Sequence, residues 1–413
     1  MESVAEQASD AAPAEALDLL IEQIDYKSIA LLSAAHLSDD VNQGVVPAML
    51  PFFIAANHLT YAAAAGLVLA QTLSSSVAQP FFGWLADRQP SPWLIPVGLS
   101  LAGIGVALAG LAPSYGLIFA AIAMSGLGIS AFHPEATRRV RYLSGTRQAT
   151  AMSLFTVGGM AGFAVGPLLI TPTMIALGTR GAIVMALPVM VMAAVITYQM
   201  PRLTAIPTLH GVHGSQHAPE TMEHWLNFAR LTAVVMCRSI VFFGLNTFVP
   251  LYWTGVLHGS KSGAGLALTT LLASVTIGTV IGGRMADRFG RRIVVVLSLA
   301  SIAPLLFIFL ESHGMVSTIA FLVPLGIVLA APASVMVVMG QEYLPNRVGL
   351  AAGVTLGLSM TVGGLFMPLF GSIADHHGLG TAMKLLAIVP VLAFAMSLTL
   401  RESSEAHARK FFA

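Results

Sequence analysis

The chain has 413 residues, of which 56% are hydrophobic and only 9% charged, with a mean hydropathy of +0.81 and a formal net charge of +1. Soluble domains carry about 25% charged residues, so the composition excludes a soluble protein and marks an integral membrane protein with no nucleic-acid partner expected. The single cysteine, Cys237, excludes an intrachain disulfide framework.

Residues 1–27 carry seven acidic residues against one Lys and no apolar run, so they predict a mobile cytosolic tail rather than a secretory signal. Beyond them, apolar runs of about 20 residues follow one another, each long enough to cross a hydrocarbon core of about 30 Å as a helix. Lipid offers no partner to backbone N–H and C=O groups, and the runs are continuous rather than alternating, which selects helices over a barrel. Twelve spans are predicted, at 28–50, 61–85, 92–112, 115–137, 149–172, 180–200, 228–252, 264–285, 291–311, 315–340, 348–373 and 380–400.

The long polar interruption, 201–227, holds Pro201, Pro207, Gly211, Gly214 and Pro219 and reads as a cytosolic linker. It separates an N-terminal half, 28–200, from a C-terminal half, 228–400, and residues 401–413 form a cytosolic C-terminal tail. The linker histidines His210, His213, His217 and His224 have only loose ligand spacing, and no metal or cofactor is expected. Sixteen of the twenty Lys and Arg fall on one side, with Arg180, Lys261 and Lys384 opposite and Arg238 within a span. The positive-inside rule therefore places both termini in the cytoplasm.

Two short stretches repeat 200 residues apart: Gly83-Trp-Leu-Ala-Asp87-Arg88 closes span 2, and Gly283-Arg-Met-Ala-Asp287-Arg288 closes span 8. They resemble the cytoplasmic loop signature of the major facilitator superfamily. The second copy continues Phe289-Gly290-Arg291-Arg292, whereas Gln89-Pro90-Ser91-Pro92 replaces that ending in the first. His36-Leu-Ser-Asp39-Asp40, Phe155-Thr-Val-Gly158-Gly159, Ala131-Phe-His133-Pro-Glu135-Ala-Thr-Arg138 and Gln341-Glu342-Tyr-Leu-Pro345-Asn-Arg347-Val-Gly349 look like the fosmidomycin-resistance branch, over essentially all of 30–400.

The resemblance implies an all-α membrane protein of twelve transmembrane helices in two pseudo-symmetric six-helix bundles. It also implies secondary active, proton-coupled efflux of fosmidomycin-like or other small organic anions by alternating access, from a bacterial-type inner membrane. A carrier with its site inside one chain is expected to work as a monomer, with an anionic or amphiphilic small molecule, protons and the lipid bilayer as partners. Gly162, Gly166 and Pro167 in span 5 resemble the antiporter signature or serve ordinary small-residue packing with a proline kink. Many antiporters of the superfamily carry a buried Arg before Gly-x-Gly in span 4; here Gly126-Leu-Gly128 follows no basic residue in 120–125, so coupling must be built differently.

An ionisable residue within a span costs about 2.5–3.5 kcal/mol on insertion scales, so each one is a functional candidate. His36, Asp39, Asp40 and Gln43 lie at helical spacing and form a polar stripe on span 1. Arg238, with Asn246 two turns on and Phe242 and Phe243 nearby, occupies the equivalent depth of span 7. Arg238 is expected to bind an anionic substrate or to pair with Asp39 or Asp40, and the acids are the candidates for proton coupling.

By the resemblance, Asp87 and Arg88, with Gly83, latch the cytoplasmic side. Gly283, Asp287 and Arg288 do the same or form a solvated basic loop. Glu135 and Glu342, at the ends of spans 4 and 10, are expected to pair with Arg138, Arg139 or Arg347 as an inner gate, with His133 beside it. No Walker-type loop supports ATP hydrolysis. The alternatives are an uptake carrier for an organic anion and, from another class, a membrane enzyme or lipid-handling protein, for which no nucleophile–base grouping is present.

Overall fold

The computed structural model describes residues 24–89, 91–145, 147–204, 222–312 and 314–401. The N-terminal tail to residue 23, the linker over 205–221 with His210, His213 and His217, and residues 402–413 lie outside the described residues.

The described chain is helical almost throughout. In order come α1 (Tyr26–Asn57), α2 (Tyr61–Arg88), α3 (Leu94–Leu111), α4 (Tyr115–Leu143) and α5 (Gln148–Leu177). A 3-10 segment, Gly178–Met185, leads into α6 (Ala186–Thr204). After the linker come α7 (Trp225–Gly255), α8 (Lys261–Phe289), α9 (Arg291–Leu310), α10 (Met315–Ala330) and α11 (Ala333–Tyr343). The last stretch is segmented into α12 (Val348–Ala352), a π-helical turn Gly353–Leu358, α13 (Ser359–Leu365), α14 (Met367–His377), α15 (Leu379–Leu386) and α16 (Val389–Ser397).

Among the described residues, ten helical segments are long and apolar enough to cross a membrane. One of them, Thr150–Thr204, is 55 residues long because the 3-10 segment joins α5 to α6 without a break. Most helices run several residues beyond the expected spans, since hydropathy reports the thickness of the hydrocarbon and not where backbone hydrogen bonding stops. The expected span 315–340 is broken between α10 and α11 at Ala331 and Pro332, where proline lacks an amide and crowds the preceding turn.

Helix ends repeat across the two halves of the sequence. His58, capping α1, has φ 52°, and His258, just beyond α7, has φ 51°; both are left-handed positions closing a helix. The hydroxyl of Thr60 caps α2 by accepting from Ala63 N, and Ser260 caps α8 by accepting from Gly263 N. The Asp25 amide donates to Leu143 O at the end of α4 (3.0 Å), and the His224 amide donates to Tyr343 O at the end of α11 (2.8 Å). The duplication heard in Asp87-Arg88 and Asp287-Arg288 is therefore also written in backbone geometry.

Within the N-terminal half, α1 lies along α5, and α4 packs on α2 and α3. Gly158, Gly162 and Gly166 of α5 rest on the backbone carbonyls of Ser33, Leu37 and Val41, where any Cβ would overlap. Within the C-terminal half, α8 packs on α10 and α7 on α13 and α16. The halves meet through α5 with α8, α2 with α13 and α14, and α1 with α7. At the end carrying His58, Gly371 of α14 packs on Ala62 and the Tyr61 carbonyl, and Asp375 accepts from the Tyr61 and Ala62 amides. At the end carrying Arg88, the ion pairs Glu135–Arg139 and Glu342–Arg291 each join groups of one half, while Asp25 and Glu223, just before α1 and α7, pair with Arg202 and Arg347.

Candidate functional site

The polar stripe of α1 faces α4 and α5 and gathers into one buried cluster. His36 stacks on Phe155 of α5 (centroids 4.1 Å, 25°), and its Nδ1 lies 2.8 Å from the Phe155 carbonyl. A carbonyl only accepts, so Nδ1 carries the hydrogen and Nε2 is turned toward Asp40, 3.2 Å from Oδ2. Gln43 Nε2 donates to Asp40 Oδ1 at 2.6 Å, one helical turn on.

His133 reaches the same carboxylates from α4. Its Nδ1 is 2.9 Å from the Ile129 carbonyl and 3.4 Å from Asp39 Oδ2, and its Nε2 is 3.6 Å from Asp40 Oδ1. Asp39 is fully buried, and neither carboxylate oxygen has a hydrogen-bond partner. Two acids and two imidazoles thus share a pocket walled by Phe132 and Phe155, in contact with the surroundings mainly through His133, whose side chain is 22% exposed. Such a cluster can hold a proton or another cation and exchange it; ionised with nothing positive between them, the acids would repel each other in a low dielectric.

Arg238 is not brought to Asp39 or Asp40. Its Nη1 donates to the Leu329 carbonyl (3.0 Å), and its Nε has no partner. Leu329 lies in the last turn of α10, just before Pro332 interrupts the helix, so a carbonyl that a continuous helix would satisfy is exposed to the guanidinium. The expected Arg–Asp pairing is replaced by a cap on a broken helix. Asn246 is buried with an unpartnered Oδ1, and Phe242 meets Phe163 of α5 across the halves (6.2 Å).

Glu135, wholly buried, accepts from Arg138 (2.6 Å) and Arg139 (2.9 Å). Glu342 takes Arg291 instead of the expected Arg347, because Arg291 opens α9 beside the end of α11, and Arg347 goes to Glu223 at 3.3 Å. Gly83 and Gly283 lie inside α2 and α8 and not in the turn that follows; a Cβ on Gly83 would meet only Pro134, at 4.0 Å, and one on Gly283 nothing. The turn glycine of the second copy is Gly290, at φ 100°. Arg88 stacks on Trp84 (4.5 Å) and Arg288 on Phe289 (5.3 Å), Asp287 is exposed, and the Asp87 side chain lies outside the described residues.

Sequence reasoning placed His133 at the gate and gave Gly159 no part in the cluster, although a Cβ there would overlap His36 Nε2 and Asp40 Oδ2. The His133 ring joins residues over ninety positions earlier, and only helix packing reveals it; the one available signal was an imidazole just before Pro134, inside the predicted span 115–137. A cavity of about 620 Å³ near Phe52, Met174 and Lys261 lies at the His58 end and contains none of the candidate residues.

A helical membrane chain with helix ends repeated at a 200-residue interval and a charged cluster buried among its helices is built as a carrier. The chain belongs to the Major Facilitator Superfamily, whose profile matches residues 32–258 and 231–412. It is a multi-pass membrane transporter of small molecules, in a family of transporters and not of enzymes. It is 32% identical to the "Uncharacterized MFS-type transporter YfnC" of Bacillus subtilis strain 168 over 89% of this chain and 91% of that one. It is 31% identical to the "Fosmidomycin resistance protein" of Escherichia coli K12, over 88% and 90%. Among solved structures, a bacterial homolog of the human lysosomal transporter Spinster, in an inward-facing and occupied conformation, superposes with a TM-score of 0.76 at 15% identity, covering 91% of this chain and 97% of that one. The nucleoside transporter NupG superposes with a TM-score of 0.72 at 14% identity, covering 90% and 99%.

Proposed function

We propose that the protein is a proton-coupled exporter of small organic anions of the fosmidomycin type, working as a monomer by alternating access. The observation that carries the coupling is the buried cluster that Asp39, Asp40 and His36 of α1 form with His133 of α4. The 31% identity to a fosmidomycin resistance protein supports the substrate class.

In this reading α1 also spans the membrane, its polar stripe keeping it outside the ten most apolar segments, and the 55-residue segment spans twice, giving twelve spans in two six-helix bundles. The basic residues put the Arg88 end and both termini in the cytoplasm of a bacterial-type inner membrane. Contacts between the halves at the His58 end and ion pairs within each half at the Arg88 end then fit a carrier closed outside and open inside. Arg238, released from the Leu329 carbonyl, offers a guanidinium for bidentate capture of a phosphonate or carboxylate. Asp87, Arg88, Glu135 with Arg138, and Glu342 with Arg291 serve as the cytoplasmic latch.

Proteoliposomes with an imposed pH gradient test this. Fosmidomycin is expected to move against the proton flow, with flux reduced in Asp39→Asn and Arg238→Ala. Flux independent of the gradient would count against antiport, and absence of fosmidomycin movement would reassign the substrate.

A further inference from the structure

We propose that His36 Nε2, His133 Nε2 and a carboxylate oxygen of Asp40 form a binding site for a divalent transition-metal cation of the zinc or cobalt type, with Asp39 as the adjacent balancing carboxylate. One ligand atom from each of His36, Asp40 and His133 lies within 4.8 Å of the others. This inference does not rest on the transport reading; it rests on how the ring nitrogens are aimed.

Both imidazoles are oriented by backbone. His36 Nδ1–H donates to Phe155 O and His133 Nδ1–H to Ile129 O, so both Nε2 atoms turn to the same carboxylate, Asp40. Tying one ring nitrogen to a carbonyl to present the other is how metal-binding histidines are held. The separations agree with a shared cation. A charge-assisted N–H···O bond closes to about 2.7–2.9 Å. The two Nε2–carboxylate distances here are 3.2 Å, from His36 to Asp40 Oδ2, and 3.6 Å, from His133 to Asp40 Oδ1, the two oxygens of one carboxylate. Bonds of about 2.0–2.1 Å to a tetrahedral ion set neighbouring ligand atoms about 3.3 Å apart.

Gly159 keeps these atoms in place: a Cβ there would lie 2.5 Å from Asp40 Oδ2 and as near to His36 Nε2, so any larger residue would displace both ligand atoms. Two imidazoles and a carboxylate select a borderline-soft ion over Mg²⁺ or Ca²⁺, which take oxygen sets. The partly exposed His133 leaves a side open for a water as fourth ligand, as in three-ligand sites. Asp39, buried and without a hydrogen bond, supplies the second negative charge that a dication balances.

The test uses the full-length protein in detergent, untagged, with His210, His213, His217 and His224 changed to Gln so that the linker contributes nothing. Titration with Co²⁺ alone is expected to give one equivalent with the visible absorption of a four-coordinate ion, displaced by Zn²⁺. Asp40→Asn and His133→Gln should each weaken binding at least about tenfold, and Gly159→Ala, which keeps every ligand, should weaken it too. Glu135→Gln should not. If Asp40→Asn fails to fold, the partly exposed His133 position decides. Unchanged Co²⁺ binding in folded His133→Gln, or no such absorption in the parent protein, overturns the proposal. Loss of fosmidomycin flux with Co²⁺ binding intact would instead strike the transport reading and leave this one standing.

Discussion

Asp375 holds the first two backbone amides of α2, accepting from Tyr61 N at 2.7 Å and from Ala62 N at 3.0 Å. A carboxylate from α14 thereby caps a helix of the other half, satisfying amides that have no partner within α2 and complementing the positive end of its dipole. Gly371, one turn earlier on α14, lets the two backbones touch. This is a latch across the two halves, made from one side chain and two main-chain groups.

Removing it should loosen the closed end without unfolding either half. The carboxylate is exposed, so its contribution is about 1 kcal/mol, or roughly a fivefold change in an open-to-closed ratio. Spin labels at Ala56 and His377 should show a growing long-distance population in Asp375→Ala and a smaller one in Asp375→Asn, which keeps an acceptor. Identical distance distributions would mean that packing at Gly371 alone closes this end.

A second cap has a pH signature. At the start of α1, burial pushes the Asp25 carboxyl up, but hydrogen bonds from the Ser28 hydroxyl and amide and the Arg202 guanidinium outweigh it and hold it below its ordinary value of 3.8. A depressed carboxyl stabilises the fold fully above the unfolded value and loses that contribution as pH falls through the folded one. Thermal stability in detergent should therefore fall below about pH 4 more steeply in the parent protein than in Asp25→Asn. At pH 7, Asp25→Ala should cost about 1 kcal/mol and Asp25→Asn less, since Asn also caps. Parallel pH curves for parent and Asn variant would remove the charge from the argument.

What could be read in the sequence follows from which interactions are local. His36, Asp40 and Gln43 contact one another because they share a helix face, which spacing alone reveals. Glu135 with Arg138 and Arg139 is equally local. The echo at Asp87 and Asp287 announced a duplication that reappears at His58 and His258, positions with no motif of their own. Contacts that depend on how helices pack were illegible: His133 against Asp39 and Asp40, Arg291 on Glu342, and Asp375 on α2. The hydrogen bond of Arg238 was illegible for another reason, since its partner is a carbonyl and main-chain acceptors leave no trace in residue identity.

That carbonyl yields a third prediction. Arg238 Nη1 satisfies Leu329 O only because the helix breaks before Pro332. Arg238→Met should leave a buried acceptor bare and cost about 1–3 kcal/mol. Pro332→Ala lets α10 and α11 run on as one helix and satisfy the carbonyl internally, so the cost of losing Arg238 should shrink in that background. A double-mutant cycle on thermal stability reads the coupling directly. Strict additivity would mean that Arg238 is held by its surroundings and not by the break.

The glycines separate packing from signature. Gly162 sits on the Leu37 carbonyl, and its neighbours Gly158 and Gly166 lie on Ser33 and Val41, so α5 approaches α1 at backbone distance. Gly162→Ala must push the helices apart, with an expected cost of about 1–3 kcal/mol. The same displacement draws the Phe155 carbonyl away from His36 Nδ1, so the variant should also disturb the cluster. Gly283→Ala meets no neighbouring atom and replaces a mid-helix glycine, so it should be neutral or stabilise by up to about 1 kcal/mol. Thermal melts of the two variants side by side test this: if Gly283→Ala is as damaging as Gly162→Ala, the motif glycine serves a closed conformation in which another helix covers it, and the room around it belongs to the open form alone.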